Sequence, residues 1–170
     1  MAKWALKQTP EIQDEGACAH AIQQSQRAGK AMAQAEALCR SRGARLTPIR
    51  RKVLEALYAT HKPMGAYDLA EILGPRGRRL APITVYRALD FLIEQGFVHR
   101  LASQNAYIAS PNSHEERDSV AFLICEKCGG VDEMASPALS NVITEMMSEQ
   151  SFRAKGKVLE ITGRCSHCGD

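Results

Sequence analysis

Apolar residues recur at helical spacing through the first half of the chain. Residues 24–42 are rich in Ala, Gln, Glu and Leu, which are good helix formers. Pro48 suits the first position of a second helix, and Thr47 can cap it. Further helices are expected over residues 66–73 and 82–95, because their apolar residues return every three or four positions.

After residue 96 the helical spacing ends, and short runs of residues that favour β-strands follow. Residues 97–101 and 107–109 predict two strands, and the polar residues between them predict a turn. Short helices followed by a small hairpin are typical of a winged helix-turn-helix, in which one helix enters the major groove of DNA.

A second module is predicted after residue 118. Its pattern indicates strands over 119–125, 131–135 and 157–162, and a helix that begins at Pro137 with Ser136 as its cap. That helix carries an apolar stripe, which we expect to serve packing: Leu139, Val142, Ile143, Met146 and Met147. A module this small has little core of its own, so it needs a bound metal, a disulfide or a partner to be stable.

These patterns predict the α+β fold class. The chain divides into a flexible leader at residues 1–22, a winged-helix domain at 23–110, a hinge at 111–118 and a small α/β domain at 119–170.

Charge separates the same two modules. Residues 23–112 carry 14 basic and 6 acidic side chains, a net charge of +8, whereas residues 113–170 carry 6 and 10, a net charge of −4. A basic module suits a polyanion such as nucleic acid, although surface charge can also sort by chance. The chain has no apolar run of about 18 residues and no secretory signal at its start, so we expect a cytoplasmic protein without a membrane segment.

Four of the six cysteines form two Cys-x-x-Cys pairs separated by 36 residues: Cys125 with Cys128, and Cys165 with Cys168. Four thiolates make a closed tetrahedral zinc site, and redox dithiols or disulfides are the alternative. A closed site stabilises a fold, has no open position for catalysis and does not by itself reveal the function. We expect that the chain is not an enzyme. Lys127 and Arg164 can offset its negative charge, and Cys18 and Cys39 are expected to be small packing residues.

Several segments resemble the ferric uptake regulator family, most closely its zinc uptake regulator subfamily. They are RLTPIR at 45–50, AYDL at 66–69, TVYRALDFL at 84–92 and QGFVH at 95–99, together with the two cysteine pairs. The resemblance covers residues 24–170 and implies a repressor of metal uptake genes with a C-terminal dimerization domain. It further implies a homodimer that binds palindromic double-stranded operator DNA when loaded with metal, and one structural and one regulatory zinc per chain.

The expected DNA contacts are Tyr67, Thr84, Arg87, Arg45, Arg78 and Arg79. The resemblance places Tyr67 and Arg87 at DNA. The planar fork of Arg87 can pair with guanine O6 and N7, although a helix-surface arginine can also touch only phosphate or solvent. Tyr67 can equally be a core aromatic with a solvated hydroxyl. Arg45 can reach a phosphate or the minor groove, and Arg78 and Arg79 suit phosphate.

The resemblance also implies a sensing site at the hinge, built in zinc uptake regulators from His, Cys, His and Glu. This sequence keeps His99 and Glu133, but it has Ser110 for the cysteine and Asp118 for the second histidine, with His114 nearby. These residues still offer a nitrogen and oxygen site that zinc accepts, while loss of the thiolate leaves the choice of metal open. The acidic run at the hinge can alternatively be a solvated loop.

Two other functions stay open. Iron or peroxide sensing is possible within the same family, and a zinc-stabilised adaptor would bind a protein partner without sensing metal. A redox enzyme is disfavoured because the Cys-x-x-Cys pairs lack a strand-to-helix βαβ context. No small-molecule substrate is indicated.

Overall fold

The computed structural model describes residues 19–75, 78–110, 119–154 and 157–169, and their side chains from residue 28 onward. Its first part has four helices and a hairpin: α1 (Ala19–Ser41), α2 (Pro48–Tyr58), α3 (Ala66–Ile72), α4 (Pro82–Glu94), β1 (Val98–Leu101) and β2 (Ala106–Ala109). α1 begins inside the segment that the sequence assigned to the leader, because helix-forming residues already start there. Pro48 and Pro82 occupy the first turns of α2 and α4, as predicted.

One apolar core joins these helices. Fully buried leucines come from α2, α3 and α4: Leu54, Leu57, Leu69, Leu89 and Leu92. α1 contributes Ala31, Ala35 and Cys39, small residues spaced four apart that lie on one face of the helix. Cys39 therefore packs as a small core residue, and burial raises the pKa of its thiol.

The hairpin is hydrogen-bonded to the helical part as well as to itself. The backbone of Met64, just before α3, exchanges two 2.9 Å hydrogen bonds with Tyr107 of β2. This bridge holds the wing, defined as residues 98–109, against the start of α3.

The second part is a three-stranded sheet with one helix: β3 (Val120–Cys125), β4 (Val131–Ala135), α5 (Pro137–Glu149) and β5 (Val158–Gly163). The strand order is β4-β3-β5, with β3 antiparallel to β4 and parallel to β5. Parallel neighbours require a crossover connection, and α5 lies within it. The mixed helix and sheet architecture confirms the α+β class.

A second core joins the wing to this sheet. Leu101 and Ile108 of the wing pack with Val120, Phe122 and Ile124 of β3. The alternation of β3 explains the arrangement, since every second residue of a strand lies on the same face. The wing therefore rests on the sheet through apolar contacts.

The apolar stripe of α5 is only partly covered by the residues that the structure describes. None of its 13 residues, all of which the structure describes, is buried, and Val142 and Met146 are 55% and 61% exposed. On the adjacent strand β5, Val158 and Ile161 are also exposed. The sequence predicted that the stripe serves packing: Leu139, Ile143 and Met147 are half-buried, as that role requires, whereas Val142 and Met146 lie on the outside.

The expected side-chain caps are absent as well. Thr47 and Ser136 occupy the N-cap positions of α2 and α5, but neither makes a capping side-chain hydrogen bond with the residues that the structure describes. A first-turn proline already sets the helical φ and removes one unpaired donor at each helix start. In the part of the chain described, no helix is both long and apolar enough to cross a membrane.

Candidate metal centres and nucleic-acid interface

The four cysteines of the two Cys-x-x-Cys turns, here called the first knuckle (125–128) and the second knuckle (165–168), converge at one end of the sheet. The sulfur atoms of Cys125, Cys128, Cys165 and Cys168 all lie within 4.8 Å of one another. Strand register explains their meeting, because Cys125 ends β3 directly beside Gly163, the last residue of the parallel strand β5. Residues that leave neighbouring parallel strands emerge at the same edge of a sheet.

Tight turns shape both knuckles. Gly129 has a φ of +72°, which favours glycine, and its amide donates to the carbonyl of Cys125 at 2.8 Å. In the second knuckle the amide of Cys168 donates to the carbonyl of Cys165 at 2.9 Å. These turns place each pair of sulfurs on the same side of the backbone.

Backbone amides also point at the sulfurs. The amide of Cys165 donates to Cys125 Sγ at 3.4 Å, and the amide of Gly130 donates to Cys128 Sγ at 3.3 Å. Amide donors from Cys128 and Cys165 lower the pKa of Cys125 to about 6, whereas burial raises that of Cys128. Four thiolates this close repel one another, so the set requires a cation of high charge, and tetrahedral sulfur ligation suits zinc.

Lys127 provides a positive charge beside this cluster. Its Nζ donates to the carbonyl of Cys168 at 3.4 Å, which ties the first knuckle to the second. The sequence predicted this charge to offset the thiolates, and the contact is consistent with that purpose.

A second polar cluster lies where the wing meets the sheet. His99 of β1, Ser110 just after β2 and Glu133 of β4 come together there. The Nε2 of His99 lies 4.0 Å from Oε1 of Glu133, and the Ser110 hydroxyl donates to that same oxygen at 2.9 Å. The side chain of Glu133 is only 7% exposed.

Two of the predicted hinge ligands, His114 and Asp118, lie outside the described residues, as does the hinge at 111–118 as a whole. Among the described residues, His99 and Glu133 thus supply one nitrogen and one carboxylate group. The His99 ring also stacks at a tilt on Phe122, with 5.1 Å between ring centroids, so β3 helps to orient it.

Sequence reasoning missed Tyr58 as a part of this cluster. Its hydroxyl donates to the backbone carbonyl of Ser110 at 2.7 Å, and its side chain is buried. Burial and the nearby charge of Glu133 raise the pKa of Tyr58 far above its usual range, so the hydroxyl keeps its proton and remains a donor. Its position in the apolar pattern of α2 predicts only burial.

The predicted DNA-contacting residues lie on the helical part. Tyr67, on the first turn of α3, is 64% exposed, which excludes the alternative of a core aromatic. Arg87 projects from the exposed side of α4, between the buried residues Val85 and Leu89. Thr84, one turn earlier in the same helix, is half-buried.

The remaining predicted contacts are exposed arginines in loops. Arg45 precedes α2, while Arg78 and Arg79 precede α4, and Arg79 pairs with Glu71 at 3.1 Å. Exposed pairs of this kind are weak, so the guanidinium stays available for phosphate.

Arg50 supports the loop that carries Arg45, which the sequence did not reveal. Its guanidinium donates to the Arg45 carbonyl at 2.6 Å and lies 3.5 Å over the ring of Phe91 on α4. These contacts tie the loop before α2 to the helix that carries Arg87.

Comparison with known proteins assigns this architecture to a family. The model of the ferric uptake regulator family matches residues 41–162. The zinc uptake regulation protein of Escherichia coli is 36% identical over 137 residues, which cover 81% of this chain and 80% of that protein. The peroxide-responsive repressor PerR of Staphylococcus saprophyticus is 28% identical and matches 77% of this chain and 86% of that protein.

A solved structure gives the same result. A zinc uptake regulator complexed with zinc and DNA superimposes with a TM-score of 0.77 at 35% identity, covering 83% of this chain and 94% of that one.

Proposed function

The chain belongs to the ferric uptake regulator family, and on that premise we propose that it is a zinc-responsive transcriptional repressor of metal uptake genes. The observation that carries the proposal is a polar cluster of His99, Ser110 and Glu133 where the wing meets the cysteine-rich sheet, which is called the hinge cluster below. The similarity to a zinc uptake regulator that was solved with zinc and DNA supports the same function.

The cysteine cluster is proposed to hold the structural zinc. All four donors of Cys125, Cys128, Cys165 and Cys168 are thiol groups, and a closed set of this kind leaves no position for a substrate. Zinc here would join the ends of β3 and β5, in a module whose helix α5 buries none of its described residues.

The hinge cluster is proposed to hold the regulatory zinc. His99 and Glu133 would bind it, completed by Asp118 or His114. Because His99 belongs to the wing and Glu133 to the sheet, ligation would favour the arrangement in which the two parts are docked. Ser110 is a poor zinc ligand at neutral pH, but its hydrogen bond fixes the orientation of the Glu133 carboxylate.

Residues 23–110 are proposed to bind double-stranded operator DNA. Arg87 would read a base, with Thr84 and Tyr67 beside it, and Arg45, Arg78 and Arg79 would contact phosphates.

Residues 119–170 are proposed to form the homodimer, with 111–118 as the hinge. Exposed apolar residues of α5 and of one face of β5, namely Val142, Met146, Leu159 and Ile161, would pair with their copies. Two DNA-binding heads at a fixed angle would then match a palindromic operator.

The test is a curve of DNA binding against free zinc. The probe is a duplex selected from a random-sequence library by the zinc-loaded protein, and the proteins compared are the unmodified chain, His99→Ala and Ser110→Cys. We expect His99→Ala to abolish the zinc response while the cysteine zinc stays bound, and Ser110→Cys to shift the curve to lower zinc, because a thiolate is a stronger ligand. If His99→Ala leaves the curve unmoved, the hinge is not the sensor.

The same assay addresses iron or peroxide sensing. The similarity to PerR and the absence of a cysteine among His99, Ser110 and Glu133 favour this function as the second candidate. A DNA-binding response to Fe²⁺ or Mn²⁺ at lower free metal than zinc would establish that candidate instead. Binding to the selected duplex without any added metal would point to a constitutive DNA binder.

A further inference from the structure

Glu160 connects the sheet to the turn at the tip of the wing. From β5, its Oε1 accepts a hydrogen bond from the amide of Ala102 at 2.7 Å. Its Oε2 accepts from the amide of Ser103 at 3.2 Å and also from the Ser103 hydroxyl. One carboxylate therefore satisfies three donors of a turn that is 57 and 58 residues away in the chain.

These donors favour the ionised carboxylate. Burial tends to raise the pKa of Glu160, but the hydrogen bonds from Ser103 and Ala102 outweigh it and hold the pKa below its usual range. Bonds from neutral donors to a charged acceptor are stronger than bonds between neutral groups.

The register of the sheet shows that Glu160 does not act alone. Phe122 of β3 is paired with Glu133 on one side and with Glu160 on the other. Side chains at paired positions lie on the same face, so the three residues form one row across the sheet. Strands lie about 4.8 Å apart, which puts the two glutamate backbones about 10 Å from each other.

The wing carries matching positions at the same separation. His99, beside Glu133, and Ala102, beside Glu160, are three residues apart in the chain. At about 3.3 Å per residue of extended chain, that is again about 10 Å. The wing thus crosses the row of Glu133, Phe122 and Glu160 and is attached at both ends, which resists rotation better than one attachment.

Only the contact at Glu133 belongs to the proposed sensing site. The contact at Glu160 is made by this chain's own amides and hydroxyl, so it needs no metal to form.

We propose that Glu160 is a positioning residue that docks the wing on the sheet and thereby sets how much zinc is needed for DNA binding. This inference rests on the proposed function. Apparent affinity scales with the fraction of molecules already in the binding-competent arrangement. Removal of the Glu160 contact lowers that fraction, so more zinc is required to restore it.

The test compares Glu160→Ala, the milder Glu160→Gln and Ser103→Ala in the full chain with its cysteine zinc in place. Thr162→Ala, an exposed change two residues along β5, and Glu149→Ala, the loss of an exposed acid at the end of α5, are matched controls. Two quantities are measured: amide hydrogen exchange at Ala102 and Ser103 without DNA, and the zinc concentration at half-maximal binding to the library-selected duplex.

We expect amide exchange at the wing turn to accelerate on the order of tenfold or more in Glu160→Ala, and the zinc midpoint to rise by a similar factor. Glu160→Gln keeps one acceptor oxygen, so both measurements should lie between those of Glu160→Ala and the unmodified protein. Both controls should match the unmodified protein. Ser103→Ala loses only the hydroxyl contact and should have the smallest effect of the three.

Unchanged exchange in Glu160→Ala would show that the contact does not hold the wing and would overturn the proposal. Faster exchange with an unmoved zinc midpoint would overturn the effect on zinc response. If the unmodified protein binds DNA without any zinc dependence, the proposed function fails together with that effect, but the exchange measurement still decides whether Glu160 docks the wing.

Discussion

Replacement of Cys165 by serine tests the structural zinc most directly. The change removes one sulfur from a set whose four Sγ atoms lie within 4.8 Å, and it leaves the backbone turn of the second knuckle able to form. Serine oxygen is a poor zinc ligand at neutral pH, so three thiolates would remain. We expect the tightly held zinc to be lost.

The structure indicates how large the effect should be. β5 has no buried residue at its six positions and α5 has none at its thirteen, all of them described, so apolar burial within one chain contributes little to holding either element. Structural zinc supplies roughly 10–16 kcal/mol in small zinc domains, against about 5–15 kcal/mol for the whole stability of a typical protein. Loss of the metal should therefore release β5 and α5 from β3 and dissociate the proposed dimer.

The assay combines zinc content by mass spectrometry under native conditions, thermal unfolding and sedimentation. Ser166→Ala, an exposed change between the two cysteines of the same knuckle, should behave like the unmodified protein. Cys165→His should recover zinc and most of the stability, because three cysteines and one histidine form a common structural zinc site. A folded, zinc-free dimer of Cys165→Ser would refute the structural assignment.

Three more predictions concern the DNA contacts, the hydrogen bond of Tyr58 and the pH dependence of the Glu160 contact. Arg87→Ala should weaken binding to the library-selected duplex by about 1–3 kcal/mol and relax the sequence preference. Arg79→Ala should instead weaken binding to all DNA and reduce the slope of affinity against salt concentration by about 1. If Arg87→Ala binds as tightly as the unmodified protein at the same salt concentration, Arg87 does not read a base. Tyr58→Phe leaves the buried carbonyl of Ser110 without its 2.7 Å donor. We expect the free energy of unfolding, measured in urea, to fall by about 1–3 kcal/mol. An unchanged value would mean that water or another group replaces the hydroxyl. Because the pKa of Glu160 is lowered from 4.5, its stabilising contribution is present above pH 4.5 and is lost as the pH falls through the lower native pKa. The difference in unfolding free energy between the unmodified protein and Glu160→Gln should therefore shrink below that pH. A difference that persists in acid would contradict the charged contact.

The sequence by itself determined the local elements. Helical periods and first-turn prolines predicted the start of α2 and both ends of α3 and α4 to within one residue, and the predicted β4 matches the observed strand at both ends. The two Cys-x-x-Cys pairs predicted a four-sulfur cluster, and the matching segments predicted the family. These features depend on near neighbours in the chain, where side-chain spacing and turn chemistry decide the outcome.

Only the tertiary structure decided what these elements present to one another. The pairing of Phe122 with both Glu133 and Glu160 depends on the register of strands far apart in the chain, and no local pattern encodes that register. The same holds for Tyr58, whose position predicts burial but not its contact with Ser110, and for Val142 and Met146, which are apolar by pattern but exposed. Periodicity specifies which face of an element is apolar, whereas long-range packing decides what that face contacts. The contact between the wing and the sheet is therefore a result of the tertiary structure.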